Sequence, residues 1–175
     1  MTQPSILIAG VGNIFMGDDA FGVEVVQRLS ARKLPDGVQV RDFGIRGFDL
    51  AYALMEDQDV TILVDATPRG GEPGTIYTIE PDLSELEGAP VDQMAVETHG
   101  MNPMKVLAMV KAMNGELGRV LLVGCEPATL GPEEGLMGLS EPVEAAVNTA
   151  VEIVESLAAR IIDEHRITAS KATVR

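Results

Sequence analysis

Residues 5–10 limit the fold of this chain more than any other segment. They form a short, continuous apolar run that ends in a glycine turn, and from Ala20 to about Ala31 apolar residues recur with the period of a helix. An apolar run without alternation is typical of a strand buried on both faces, as in a parallel sheet covered by helices. A strand, a glycine turn and a helix in this order predict an α/β fold.

The same pattern continues along the chain. It predicts further strands at residues 38–42, 60–65, 74–79 and 120–124, and helices at 48–54 and 104–113. The strand at 74–79 follows its predecessor too closely for a helix between them, so it is expected to pair antiparallel at an edge. Residues 80–98 have little periodicity and are predicted to form a long loop.

The last helix has the strongest signal. Ser140 and Pro142 are start signals, and one apolar stripe follows them: Val143, Val147, Ala150, Val154, Leu157 and Ile161. Because the stripe ends there, residues 163–175 are predicted to be a frayed tail. The 175 residues suit one domain. We therefore predict a single α/β domain over residues 1–162, a three-layer sandwich in which a twisted, mostly parallel sheet of about five strands carries helices on both faces.

The charge of the chain argues against two classes of partner. There are 13 Lys and Arg against 27 Asp and Glu, which gives a formal net charge of -14. Binding to a phosphate backbone or an acidic lipid surface depends on basic residues, so we expect no nucleic-acid partner and no membrane insertion. No apolar run could span a bilayer, the first residues do not resemble a signal peptide, and the single cysteine cannot form an internal disulfide. These features predict a cytoplasmic protein.

Acidic residues follow three of the predicted strands. Asp18 and Asp19 come after the first strand and its turn, Asp42 ends the second strand, Asp65 ends the third, and His99 follows the long loop. Ligands of parallel α/β sheets collect beyond the carboxyl ends of the strands. Two carboxylates and an imidazole from separate segments suit zinc, nickel, manganese or iron. Each residue also has a common structural role, as a helix cap or first-turn residue for Asp18, Asp19 and His99, and as a turn cap for Asp65.

The glycine turn allows a second interpretation. Residues 10–15 resemble the start of a dinucleotide-binding fingerprint, and Asp42 stands where a ribose-binding acid would be. The sixth position, however, is Phe15 rather than glycine, so close packing of the helix on the strand is not expected. Asp18 and Asp19 also place negative charge where a pyrophosphate would bind. The turn is therefore better suited to a cation than to an anion.

Cys125 offers a third chemistry. It ends the last predicted strand and could pair with His99 as a nucleophile and its base. A single cysteine after a buried apolar strand is more often a small buried hydrophobe, so this arrangement is not favoured.

Several motifs, taken in order, resemble those of one family. They are Gly10-Val11-Gly12-Asn13, Gly17-Asp18-Asp19 with Gly22, Asp42-Phe43-Gly44, Val64-Asp65-Ala66-Thr67, Thr98-His99-Gly100-Met101 and Val123-Gly124-Cys125-Glu126-Pro127. The chain resembles the hydrogenase maturation endopeptidases, which trim the C-terminus of a nickel-iron hydrogenase large-subunit precursor. The resemblance spans nearly the whole chain. It departs at Phe43, where the family commonly has glycine, and Cys125 is not a requirement of the family.

The resemblance implies a site and a substrate. It implies that Asp19, Asp65 and His99 are the metal ligands, and we expect the same three to be the catalytic residues. Asp42 could act as an auxiliary acid in proton transfer if the metal serves only as a docking anchor. The nickel is expected to arrive with the hydrogenase precursor rather than to be held tightly by the enzyme. Whether the metal is catalytic or serves only for recognition stays open at this point, so the protease could be of aspartyl type or metal-dependent. A nickel-sensing maturation chaperone that does not cut, and a dinucleotide-binding oxidoreductase, are the alternatives.

Overall fold

The computed structural model describes residues 3–88 and 101–173 of the chain. Within these residues there are five strands: β1 (Ile6–Val11), β2 (Val38–Gly44), β3 (Val60–Ala66), β4 (Ile76–Ile79) and β5 (Arg119–Cys125). The same residues form four α-helices: α1 (Phe21–Ser30), α2 (Gly47–Met55), α3 (Pro103–Ala112) and α4 (Glu141–Thr173). Short 3-10 turns occur at Gly17–Ala20 and Leu83–Leu86. Among these residues, no helix is long and apolar enough to cross a membrane.

The strands form one mixed sheet in the order β2-β1-β3-β5-β4. Strands β2, β1, β3 and β5 run parallel, and β4 pairs antiparallel with β5 at the edge, as predicted. The carboxyl ends of the four parallel strands therefore meet along one edge of the sheet. Asp65 is at this edge in register with Gly124 of β5, while Gly10 pairs with Asp42 just before a shift in the β1–β2 register.

Two apolar cores cover the two faces of the sheet. Ile6 and Ile8 of β1 pack with α1 and α4 on one face, and Leu7 and Ala9 pack with α2 and α3 on the other. All six residues of β1 are buried, which explains why its sequence is a continuous apolar run rather than an alternating one. The three-layer α/β architecture is thus the predicted one.

A glycine brings α1 into close contact with the sheet. A Cβ atom on Gly22 would overlap the carbonyl oxygens of Val11 and Val64. The prediction that a non-glycine residue at Phe15 removes close helix–strand packing is therefore wrong. The 3-10 turn at Gly17–Ala20 delays the start of α1, so the glycine that permits the close approach comes later in the sequence.

The C-terminal helix is longer than expected. α4 continues to Thr173, so residues 163–173 are helical where a frayed tail was predicted. Their apolar stripe has ended and they are mostly exposed. Two ion pairs within the helix, Arg160 with Glu164 and Arg166 with Asp163, help to stabilise these turns. A prediction based on apolar spacing alone does not include such pairs.

Candidate functional site

Asp19 and Asp65 line one pocket at the carboxyl edge of the sheet. The pocket has a volume of about 390 Å³. Its other walls come from the residues after β3, the start of α3, and Leu130 in the segment between β5 and α4. Two acids that are 46 residues apart in the chain are therefore brought together, as the strand-end argument predicted.

Asp65 is the more deeply placed of the two acids. It is 8% exposed at the end of β3, a strand buried along its whole length. Its Oδ1 atom is buried without a hydrogen-bond partner among the described residues. Desolvation, and then the nearby charge of Asp19, raise the pKa of Asp65 well above its usual range. A backbone hydrogen bond from Ala66 partly opposes this shift. Since Oδ1 has no partner within residues 3–88 and 101–173, a turn-capping role would account for only one of the two oxygens.

Asp19 is half-buried in the 3-10 turn that precedes α1. Its Oδ2 atom accepts a hydrogen bond from the backbone amide of Asn13 at 2.8 Å. Burial raises the pKa of Asp19, and the Asn13 hydrogen bond partly opposes this shift. This hydrogen bond orients the carboxylate through Oδ2, so Oδ1 can bind a ligand in the pocket.

His99 lies outside the described residues, so its membership of the site stays a prediction. The described chain resumes at Met101, and Met101 and Asn102 both line the pocket. Asn102 caps α3, since its side chain accepts a hydrogen bond from the Met104 amide at 3.0 Å. The capping role considered for His99 is therefore filled by another residue. Within residues 3–88 and 101–173, no three His, Cys, Asp or Glu side chains are grouped to hold a metal.

Asp42 is not gathered into this pocket. It is exposed, and its Oδ1 accepts a hydrogen bond from the amide of Gly44 at 2.8 Å. It lines a separate groove of about 360 Å³ between the turn after β1 and the turn after β2. A role of Asp42 as auxiliary acid would require a substrate that reaches both cavities.

Asp18 lies in a different environment from the adjacent Asp19. It is fully buried, and both of its carboxylate oxygens accept hydrogen bonds, from Ala128, Thr129 and Ser140. It therefore neither caps α1 nor serves as a ligand. Of the two adjacent acids, Asp19 is the one that lines the pocket.

A family model for hydrogenase maturation proteases, HycI, matches residues 23–157 of the chain. The chain belongs to the hydrogenase maturation protease family. As a member of a protease family, it is a hydrolase. The resemblance seen in the ordered motifs is confirmed.

Similar relatives and solved structures are also hydrogenase maturation proteases. The hydrogenase 2 maturation protease of Escherichia coli is 34% identical over 152 residues, covering 85% of this chain and 87% of its own. The crystal structure of hydrogenase 2 maturation peptidase from a Thaumarchaeota archaeon has a TM-score of 0.66 at 35% identity, covering 88% of this chain and 97% of that one. The hydrogenase maturating endopeptidase HybD of Escherichia coli has a TM-score of 0.68 at 31% identity, covering 89% and 92%. The predicted fold class is confirmed.

The glycine turn of this hydrogenase maturation protease is not arranged as a phosphate cradle. The amide of Gly12 donates to the Gly44 carbonyl at 2.9 Å, and the amide of Asn13 donates to Asp19. The amide of Phe15 donates to the Asn13 side chain at 2.9 Å. A phosphate needs such amides as donors, so their engagement argues against the dinucleotide interpretation.

Cys125 does not have the properties of a nucleophile. Its side chain is buried in the core between the sheet and α4. Desolvation, together with the charge of Asp18, raises the pKa of the Cys125 thiol to about 11. A thiol that stays protonated at neutral pH is a poor nucleophile, so the buried-hydrophobe interpretation is favoured.

Glu126 is a buried acid that belongs to one of the family motifs but for which the sequence predicted no role. Its carboxylate accepts hydrogen bonds from the amides of Arg69 and Gly70 and from the hydroxyl of Tyr77. Although desolvation raises the pKa of Glu126, these hydrogen bonds outweigh it and lower the pKa. Glu126 thus fixes the turn that follows Asp65. Nothing in the local sequence around Glu126 signals this contact, because its partners are about 50 residues away.

Proposed function

We propose that this hydrolase is an endopeptidase that removes the C-terminal extension of a hydrogenase large-subunit precursor already loaded with nickel. The observation that carries the proposal is the pairing of Asp19 with Asp65, whose buried Oδ1 has no partner within residues 3–88 and 101–173. Buried polar atoms are nearly always hydrogen-bonded, so an orphaned carboxylate oxygen lining a pocket indicates a missing ligand. Membership of the hydrogenase maturation protease family supports the proposal that this pocket carries out proteolysis.

Nickel in the precursor fits the donors at this site. Carboxylate oxygens and imidazole are ligands that first-row divalent metals accept, and Asp65 and Asp19 would supply the oxygens. His99 would supply the nitrogen. Since two carboxylates and one imidazole leave coordination positions open, we expect the precursor to supply the remaining ligands and this protease alone to hold little metal. We therefore treat nickel as part of the substrate.

The raised pKa of Asp65 gives the site a way to distinguish loaded from empty precursor. With no cation nearby, burial and the charge of Asp19 favour the protonated form of Asp65. A divalent cation favours the ionised form, so docking of a nickel-loaded precursor would displace the proton. The empty precursor would lack this favourable interaction and would bind less well.

The pocket can then hold the scissile bond near two oxygen-rich side chains. The metal, once docked, can polarise a carbonyl group, and a carboxylate such as that of Asp19 can accept a proton from the attacking water. The proton that this carboxylate accepts from the water can then pass to the leaving amine as the amide bond breaks, so the same group would act first as a base and then as an acid. Asp42 would assist only if the extension also occupies the neighbouring groove.

Cleavage by single-residue variants tests the assignment of the site. Nickel-loaded precursor is incubated with Asp19→Asn, Asp65→Asn and His99→Ala, and the C-terminus is followed by mass spectrometry. Each variant should lose at least about 100-fold in rate, the lower bound for removing a general acid–base group. Asp36→Asn and His165→Ala, which change an exposed acid and an exposed histidine, are the matched controls and should cleave normally.

The same assay separates a protease from a non-catalytic nickel-sensing chaperone. A chaperone would bind the loaded precursor and leave its mass unchanged. Normal cleavage by all three site variants would overturn the site assignment.

A further inference from the structure

Asp18 is a buried acid that the proposed reaction does not use. It has no exposed surface. A buried carboxylate is costly unless hydrogen bonds compensate for the lost water. Four donors do so: the amides of Ala128 and Thr129 at 2.8 and 3.1 Å, and the amide and hydroxyl of Ser140 at 2.7 and 2.8 Å.

All four donors belong to the segment between β5 and α4, which we call the 128–140 loop. Ala128 and Thr129 begin this loop and Ser140 ends it, so a single side chain holds both of its ends. Backbone hydrogen bonds add to the attachment. The amide of Asp18 donates to the Thr129 carbonyl at 3.0 Å, and the amide of Gly17 donates to the Leu136 carbonyl at 2.7 Å.

The 128–140 loop contributes to the pocket and to the surface around it. Leu130 follows Thr129 directly and lines the same pocket as Asp19 and Asp65. Leu136 and Met137 are large apolar side chains that the loop leaves exposed. The position of this loop therefore sets one wall of the pocket.

We propose that Asp18 is a positioning residue for substrate binding, an inference that rests on the proposed function. Its carboxylate holds the 128–140 loop so that Leu130 stays in the pocket wall when the precursor docks. Asp19 has its own anchor in the amide of Asn13, so loosening the loop leaves the reacting groups in place. Loss of the Asp18 contact should therefore weaken substrate binding much more than it slows the chemical step.

The test compares KM with kcat for nickel-loaded precursor in variants of the contact. Asp18→Asn keeps the size of the side chain but cannot accept all four hydrogen bonds. We expect its KM to rise about tenfold while kcat changes less than threefold. Hydrogen exchange should quicken at Ala128, Thr129 and Ser140 in this variant. Asp36→Asn, an exposed acid outside the site, is the matched control and should behave as wild type.

Ser140 supplies a milder pair of variants that keeps the proposal testable if Asp18→Asn does not fold. Ser140→Ala removes one of the four donors, and we expect KM to rise about threefold. Ser140→Thr restores a hydroxyl donor and should recover most of that loss. If the folded variants share the wild-type KM, or lose kcat with KM unchanged, the proposal is wrong.

The outcome also separates this inference from the proposed function. If wild type cuts the precursor and the variants match it in KM, only the positioning role fails. If wild type neither binds nor cuts the precursor, the proposed function fails and the positioning role fails with it.

Discussion

Asp19 lies close enough to Asp65 for its negative charge to raise the pKa of the more buried carboxyl. Two acids line one pocket, and one of them has a buried oxygen with no partner within residues 3–88 and 101–173, which is an unfavourable arrangement unless a ligand binds there. A desolvated carboxyl with a raised pKa beside a second acid is typical of a functional site. The cost of this pair of acids to the free energy of unfolding can be measured without any substrate.

Asp65→Asn should stabilise the metal-free protein at neutral pH. Because the native pKa of Asp65 lies above the ordinary 3.8, the native state holds more protons than the unfolded state between these two values. Stability therefore falls as the pH rises through that window, and the deficit persists at neutral pH. The amide removes this effect, and we expect a gain of about 0.5–2 kcal/mol, the usual range for a single stabilising substitution.

Denaturant unfolding at pH 7 and at pH 3.5 measures this gain. The difference between variant and wild type should shrink at the lower pH, where the carboxyl is protonated in the native state and mostly protonated in the unfolded state. The exposed-acid variant Asp36→Asn controls for the change in net charge. A less stable Asp65→Asn at pH 7 would contradict the prediction.

Gly22→Ala should destabilise the fold despite the higher helix propensity of alanine. Propensity alone would favour alanine by about 1 kcal/mol in a helix. The added methyl group, however, would overlap the carbonyl oxygens of Val11 and Val64, so α1 must move off the sheet. We expect a net loss of about 1–3 kcal/mol.

Thermal or denaturant unfolding measures the effect of Gly22→Ala directly. Gln27→Ala, at an exposed position of the same helix, is the control and should be neutral or slightly stabilising. A stabilised Gly22→Ala protein would show that the helix does not approach the sheet as closely as described.

The exposed apolar side chains near the pocket should take part in binding the precursor. Phe15, Ile14 and Ile45 come from the turns after β1 and β2, and all three line the groove beside the pocket. Phe15 is 59% exposed, which is unusual for so large an apolar side chain. Apolar patches of this kind commonly mark a binding surface.

Phe15→Ser should raise KM for the precursor about tenfold, because burial of a phenylalanine side chain is worth about 1.5–3 kcal/mol. Stability should change by less than about 0.5 kcal/mol, as for most surface substitutions. Ile167→Ser is the matched control, since Ile167 is 56% exposed on α4. It lies about 40 Å along that helix from Ser140, at 1.5 Å per residue. An equal KM for both variants would argue against a binding role.

Local sequence patterns predicted the strands and most of the helices well. The run at β1 and the stripe of α4 are local signals that report burial directly, so their elements could be placed without knowledge of the fold. The end of α4 at Thr173 was missed because ion pairs, rather than apolar spacing, accompany its last turns.

The site was predicted in part, because its geometry depends on contacts that are distant in sequence. Asp65 could be placed at the sheet edge from its strand. The different environments of Asp18 and Asp19 depend on donors more than 100 residues away, so local sequence could not reveal them. The separate groove of Asp42 likewise depends on how two turns pack together. The role of His99 stays a prediction.

The mass of the hydrogenase precursor after incubation with wild-type protein tests the central claim most directly. Two samples of one precursor are compared, one loaded with nickel and one without it. We predict that only the loaded sample loses its C-terminal extension, because the Asp19–Asp65 pair needs the cation that the substrate carries. Equal cleavage of the nickel-free sample, or no cleavage of the loaded one, would contradict this account.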